Sequence, residues 1–133
     1  MITILRLGSP RTPNEGLRLG TVRRPPRGVP KADFAKRDFY DVWLPTLSPT
    51  EPLLKQALAS HTEDPQRQAR AWRTFERKFR SEMSRPDASR LLDLLAALSH
   101  QTSFSLGCYC SDENRCHRSI LRKLFAERGA ALR

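Results

Sequence analysis

Residues 102–121 read TSFSLGCYCSDENRCHRSIL, and this stretch combines the signals of a strand, a loop and a helix. Polar and apolar residues alternate over 102–106, which predicts a β-strand. Apolar residues recur at helical spacing from Ile120 onward, and Gly129 follows as the expected C′ residue. All three cysteines of the chain lie between these two patterns. We therefore expect a ligating or reactive cluster at a strand–loop–helix corner, where α/β proteins commonly place their chemistry.

The remaining sequence alternates between strand and helix signals. Residues 2–7 are rich in β-branched side chains and residues 17–22 alternate, so both segments are predicted to be strands. Ser48 begins a sequence that matches a capping box, and Asp64 and Pro86 stand at the starts of two further helix patterns.

The predicted helices lie between the strand at 17–22 and the strand at 102–106, and a helical connection as long as this one favours parallel pairing of the strands that it joins. The 133 residues are enough for one domain with a real core and too few for two ordinary ones. The sequence therefore predicts a single compact α/β domain over residues 1–133, with a small, mainly parallel sheet flanked by helices.

The overall charge of the chain is strongly positive, at +10. This balance favours an anionic partner such as nucleic acid, a nucleotide or a phosphorylated metabolite, although an arginine-rich solvated surface would give the same count. No apolar run approaches transmembrane length, and we recognise no secretory signal. We expect a cytoplasmic protein with reduced thiols and no association with a membrane.

A basic loop, residues 23–31 with the sequence RRPPRGVPK, follows the second predicted strand. Its prolines exclude a helix or a central strand and would hold Arg23, Arg24 and Arg27 in fixed positions for a phosphate or carboxylate. A solvated linker is the alternative interpretation. If both preceding strands end at the same edge of the sheet, this loop lies beside the cysteine corner, where ligands bind in open α/β sheets.

The corner itself supports three chemical interpretations. Cys108, Cys110, Cys116 and His117 are ligand types that zinc prefers, although the C-x-C pair and the adjacent Cys-His are unusual spacings for a zinc site. Alternatively, Cys116 at a helix N-terminus beside basic residues would be a reactive thiolate. In the third, free backbone N–H groups of the helix, with His117 and Arg118, bind an anion. The cysteines can also be small core residues with His117 packed beside them.

Residues 108–112 (CYCSD) and 116–118 (CHR) resemble the C-terminal signature of the domain of unknown function 488 family. That signature has a Cys, usually a Glu two residues later, and then Cys-His-Arg opening a helix, so Cys110 stands where the family usually has Glu. The earlier chain is similar to the short YeaO-like branch, although the pair Arg23-Arg24 replaces an Asp-Arg that many relatives carry. The resemblance implies a compact α/β domain, and relatives are often suspected of nucleic-acid or nucleotide-related roles. The further matching segments are 14–18 (NEGLR), 23–31, 40–44 (YDVWL), 47–50 (LSPT) and the helix with Trp72, Phe75 and Phe79.

Our leading prediction is a protein that binds a phosphate-bearing ligand, nucleic acid or a nucleotide, between the basic loop and the corner. Cys116 and His117 are the predicted catalytic residues, if the protein is an enzyme. The alternative is an enzyme with a reactive thiolate or a Cys/His metal centre that acts on a small molecule, and a third possibility is a protein–protein module that uses the aromatic segment 34–43. The predicted ligand-binding residues are Arg23, Arg24, Arg27, Arg118, Cys108 and Cys110.

Overall fold

The computed structural model describes residues 1–133, and its centre is a sheet of four parallel strands. The order of the strands in the sheet is β1-β4-β2-β3, and every neighbouring pair is parallel. The predicted α/β fold with a small parallel sheet is therefore confirmed. The strands are β1 (Ile2–Arg6), β2 (Leu17–Gly20), β3 (Val42–Trp43) and β4 (Phe104–Cys108).

Four helices supply most of the remaining structure, and they share one hydrophobic core with the sheet. That core joins β1 and β4 to all four helices through side chains such as Phe79 and Leu106, which are both 0% exposed. None of the helices is both long enough and apolar enough to cross a membrane. The helices are α1 (Glu51–Ala59), α2 (Pro65–Met83), α3 (Pro86–Leu98) and α4 (His117–Glu127), and single 3₁₀ turns occur at Lys31–Asp33, Pro45–Leu47 and Glu113–Arg115.

The helix ends agree with the sequence signals at two positions. Asp64 caps α2, because its side chain accepts a hydrogen bond from the backbone N–H of Gln66. Gly129 follows the end of α4 with a φ of +72°, a left-handed conformation that glycine adopts without strain.

The predicted capping box at Ser48 is wrong. The hydroxyl of Ser48 donates to the carbonyl of Pro45 at 2.7 Å, and α1 begins only at Glu51. The residue that precedes this helix is Thr50, whose hydroxyl donates to the carboxylate of Glu82 on α2. The local pattern fails here because Ser48 binds the carbonyl of Pro45 within its own turn, and Glu51 pairs with Arg24.

The parallel register places two loops at one edge of the sheet. Gly20 at the end of β2 pairs with Gly107, one residue before the end of β4. The basic loop and the cysteine corner therefore leave the sheet side by side, as expected. They are in contact, because the hydroxyl of Tyr109 donates to the carbonyl of Arg24 at 3.0 Å. A small cluster of buried apolar residues, which includes Val22, Cys108 and Cys116, lies at the same edge.

Candidate functional site

Three sulfur atoms meet where β4 gives way to α4. Cys108 ends the strand, Cys110 lies in the loop, and Cys116 immediately precedes the first residue of the helix. The Sγ atoms all lie within 4.8 Å of one another, and those of Cys108 and Cys110 are 3.7 Å apart. No disulfide joins them; Cys108 and Cys116 are buried whereas Cys110 is exposed. The fold therefore assembles a cluster of three thiols with one member open to solvent.

His117 is held in one orientation by the loop that follows β2. Its Nε2 lies 2.6 Å from the carbonyl oxygen of Thr21. Because a carbonyl only accepts hydrogen bonds, Nε2 carries a proton, and Nδ1 is the ring nitrogen that can exchange a proton with a neighbour. That Nδ1 lies 3.6 Å from the Sγ of Cys116. His117 thus touches the cluster through Cys116, and Nδ1 is the atom that can accept a proton or bind a cation.

Contacts among the three thiols shift their pKa values in different directions. Hydrogen bonds from Cys108 and Cys110, with a smaller contribution from His117, hold the pKa of Cys116 far below its usual range. The same contacts with Cys110 and Cys116, together with burial, raise the pKa of Cys108. For Cys110, the bond with Cys108 lowers the pKa, but the bond with Cys116 and burial outweigh it, so the pKa is raised. In the absence of a cation, Cys116 is therefore the thiolate of the cluster.

Arg118 supports the corner from inside the protein. Its side chain is buried, with 3% of the residue exposed, and Nη2 donates to the carbonyl of Cys110 at 2.6 Å. The buried Nε has no hydrogen-bond partner. A buried guanidinium beside Cys110 favours negative charge on the sulfur cluster, and it lowers the pKa of Cys110 against the larger effects that raise it.

Two arginines of the basic loop have partners outside the sulfur cluster. The Nε and Nη2 of Arg23 donate to three carbonyls, those of Pro45, Ser48 and Pro49, at 3.0–3.1 Å. Arg24 forms an ion pair with Glu51 at 2.9 Å. Arg27 is exposed. Of the residues predicted for the site, the structure brings together the three cysteines, His117 and Arg118. The phosphate-binding role predicted for the loop arginines stays a prediction.

A groove of about 980 Å³ between α1 and α2 reaches the corner, and sequence reasoning missed it. The corner contributes Cys110, Cys116 and His117 to the lining. None of the 24 lining residues is Asp or Glu. The apolar spacing of α2 predicts a core face but not that part of this face borders a cavity. The basic residues of the lining, apart from histidines, are Arg67, Arg70, Lys78 and Arg115.

A buried ion pair between Glu15 and Arg18 of β2 was also missed. Arg18 is 1% and Glu15 is 2% exposed, and their charged groups are joined by two hydrogen bonds of 3.0 and 3.1 Å. Arg18 also donates to the carbonyls of Pro10 and Asp38, while Glu15 accepts from the backbone N–H of Thr12. Because both side chains are fully engaged, this pair fixes the loops around β2. The opposite charges of Glu15 and Arg18, three residues apart in the sequence, were the signal from which this pair could have been predicted.

The sulfur cluster has dimensions that suit a metal ion. Two thiolates bound to zinc at about 2.3 Å, with a tetrahedral angle between them, lie about 3.8 Å apart. The separation of 3.7 Å between Cys108 and Cys110 matches that value. The unusual spacing in sequence is no obstacle, because Cys110 lies beyond the strand and Cys116 lies before the helix. His117 is not among the three mutually close ligand atoms. The cluster can therefore hold a soft metal ion with three sulfur ligands.

Comparison with known protein families gives one match. The model of DUF488-N3a, described as the active DUF488-N3 subclade, matches residues 2–129. The comparisons with curated proteins and with solved structures give no match.

Proposed function

We propose an enzymatic function for this protein, which belongs to the DUF488 family. In the proposal, Cys108, Cys110 and Cys116 hold a soft metal ion such as zinc, and the enzyme acts on a small anionic molecule in the groove. One observation carries the proposal: three Sγ atoms lie within 4.8 Å of one another, and two of these cysteines line the groove. The description of the matching subclade as active is consistent with an enzyme.

The charges around the cluster support a bound dication. Thiolates are the ligands that select zinc and similar soft ions in proteins. Three thiolates and one dication carry one net negative charge, which the buried guanidinium of Arg118 offsets. Arg118 also holds the carbonyl of Cys110 at 2.6 Å, so it restrains the loop that carries one of the three ligands.

Three protein ligands leave one tetrahedral position for water or substrate, which is typical of catalytic rather than structural zinc sites. In such a site the metal ion supplies a Lewis acid that lowers the pKa of bound water. The residues of the chain supply the proton chemistry and the binding. His117 presents Nδ1 toward Cys116, with its ring oriented by the Thr21 carbonyl, so this nitrogen is the proton acceptor that we propose.

The substrate class that we propose is an anion, in line with the phosphate-bearing ligand expected from the sequence. The groove contains Arg115, Arg70 and Lys78 and lacks any carboxylate. An anion in the groove therefore meets positive charge without competing negative groups. These three side chains line the groove, whereas the loop arginines contact carbonyls, Glu51 or solvent.

A second candidate function follows from the contact between Cys116 and His117. A thiolate at the start of α4, 3.6 Å from an oriented imidazole, has the arrangement of an activated nucleophile. Without a metal ion, the protein would use Cys116 as a covalent catalyst on a substrate bound in the same groove.

The metal content of untagged protein, purified without chelator, separates the two candidates. We expect about one equivalent of zinc or a similar ion per chain, with the thiols protected from Ellman's reagent. Cobalt loading should give sulfur-to-cobalt charge-transfer absorption that Cys108→Ser and Cys110→Ser each lower. His100→Gln is the matched control, since His100 bonds to Gly129 and lies outside the cluster. Metal-free protein with three reactive thiols, and no cobalt spectrum, would refute the metal centre and leave the thiolate.

A further inference from the structure

We infer that the groove binds an anion that carries a flat aromatic ring, with the chemistry of a nucleoside monophosphate. The ring stacks against Trp72 and Phe75, and the phosphate faces Arg115. This inference deepens the proposed function, because it takes the same groove as the substrate site and names the class of substrate. It does not depend on which atom of the sulfur cluster performs the reaction.

A row of aromatic rings leads from the groove to the cluster. The rings of Trp72 and Phe75 are stacked, with centroids 5.3 Å apart and planes inclined at 23°. Phe75 stacks in turn on Phe79 at 6.0 Å and 10°, and Phe79 meets the ring of His117 edge-on at 5.6 Å. Nucleobases stack on such platforms because every base has an aromatic face.

The outer members of this row are not sealed in the core. Phe79 is completely buried, as the apolar stripe on α2 predicts, whereas Trp72 and Phe75 are half-buried and line the groove. Trp72 and Phe75 therefore pack against the core with part of their surface and border the groove with the rest. An aromatic ligand can reach the surface that borders the groove without moving the core.

Neutral partners hold two of the cations in the groove. Nη2 of Arg115 donates to the side-chain oxygen of Gln68 at 3.0 Å, and Nζ of Lys78 donates to that of Gln56 at 2.7 Å. An amide fixes the position of a cation but leaves its charge uncompensated, so a phosphate that arrives there can pair with it without displacing a carboxylate. Arg67, also in the lining, makes only a long contact of 3.7 Å with Asp64.

Several cations outside the groove have carboxylate partners instead. Arg122 pairs with Glu113 at 2.7 Å, Arg128 with Asp93 at 2.9 Å, and Lys123 with Glu76 at 3.1 Å. These pairs show that carboxylates compensate some cations elsewhere on the surface. The argument for an anion site rests on the groove itself, whose lining has four Lys and Arg side chains and no Asp or Glu.

The test is calorimetric titration with adenosine monophosphate, adenosine and ribose 5-phosphate, which separate the ring from the phosphate. We expect the monophosphate to bind more tightly than either fragment. Arg115→Gln should weaken the binding of the monophosphate by roughly tenfold and leave the binding of adenosine unchanged. Trp72→Leu should weaken the binding of both the monophosphate and adenosine by roughly tenfold and leave the binding of ribose 5-phosphate unchanged. Lys123→Gln is the matched control and should change nothing, because its charge is already paired with Glu76.

Fluorescence gives an independent readout of stacking. In a Trp43→Phe background, Trp72 is the single tryptophan, and adenosine monophosphate should quench its emission. Equal affinities for ribose 5-phosphate and the monophosphate, or no quenching, would overturn the inference. So would a loss of affinity in Lys123→Gln as large as that in Arg115→Gln.

Metal content, measured on the same samples, keeps this inference separate from the proposed function. Protein that binds the monophosphate but no metal refutes the metal centre and retains the groove as an aromatic anion site. Protein that holds metal but binds neither adenosine nor its monophosphate refutes the inference alone. His100→Gln, which lies outside both the groove and the sulfur cluster, should retain binding of the monophosphate within about twofold, since the groove contacts lie on α2 and the 3₁₀ turn.

Discussion

Replacement of Arg118 by Met tests whether this buried cation serves the sulfur cluster or only the fold. The side chain makes one charge-assisted hydrogen bond, to the carbonyl of Cys110, and leaves its own Nε without a partner. Losing a bond of this type costs about 1.5–3 kcal/mol, while removing an unsatisfied buried donor returns about 1–3 kcal/mol. Methionine fills most of the same volume. The unfolding free energy of the metal-free protein should therefore change by less than about 2 kcal/mol.

Metal affinity should respond much more strongly. Three thiolates with a dication carry a net negative charge, and Arg118 is the buried cation beside them. Loss of a partner that supports metal ligands typically weakens affinity about 10- to 100-fold. Arg118→Lys retains the charge and should recover most of that loss, although it lacks the planar donor group of arginine.

Competition with a chromophoric chelator measures the zinc affinity, and urea unfolding of metal-free protein measures the stability. Unchanged zinc affinity in Arg118→Met, together with a stability loss of more than about 3 kcal/mol, would refute the reasoning. That result would make Arg118 a purely structural support. Equal losses of affinity in the Met and Lys variants would show that hydrogen-bond geometry, and not charge, matters at this position.

Three further predictions concern the cluster, the buried ion pair and the core. In metal-free protein, the lowered pKa of Cys116 should make the rate of its alkylation by iodoacetamide almost independent of pH between about 6 and 8. Peptide mass spectrometry follows this rate, and a rate that rises tenfold per pH unit would contradict the prediction. Glu15→Gln should lower the unfolding free energy at pH 7 by about 3–5 kcal/mol, because Arg18 is left buried without a counter-charge. Burial raises the pKa of Glu15, but Arg18 and the Thr12 N–H lower it more, so the folded protein holds the ionised form of this carboxyl. The stabilisation is therefore fully present when the pH is above the ordinary pKa of Glu, and it should fade in urea titrations carried out at a pH below that value. Phe79→Ala should cost about 3–5 kcal/mol in the same titrations and Trp72→Ala clearly less, since only Phe79 is fully buried; equal costs would contradict the half-open groove.

Much of the fold could be predicted from local sequence because its elements have strong local signals. Asp64 before Pro65 caps α2 in the structure, and Gly129 ends α4 with a positive φ. The parallel sheet followed from the length of the connections, and the meeting of the two loops at one sheet edge followed from the parallel sheet. The capping box at Ser48 failed because Ser48 binds Pro45 and Glu51 pairs with Arg24, while Glu82, more than thirty residues away, binds the actual N-cap residue Thr50.

The sequence by itself determined where the chemistry lies. All three cysteines and a histidine occur within ten residues of one another, at a change from strand to helix. Only the tertiary structure decided their arrangement: the 4.8 Å sulfur cluster depends on how the loop returns to the start of α4, and the tautomer of His117 depends on a carbonyl that lies 96 residues earlier. The groove was also decided only by the tertiary structure, because a cavity between α1 and α2 depends on the packing of two helices. Local patterns report the preferences of short segments, whereas distances between segments are set by the packing of the whole chain.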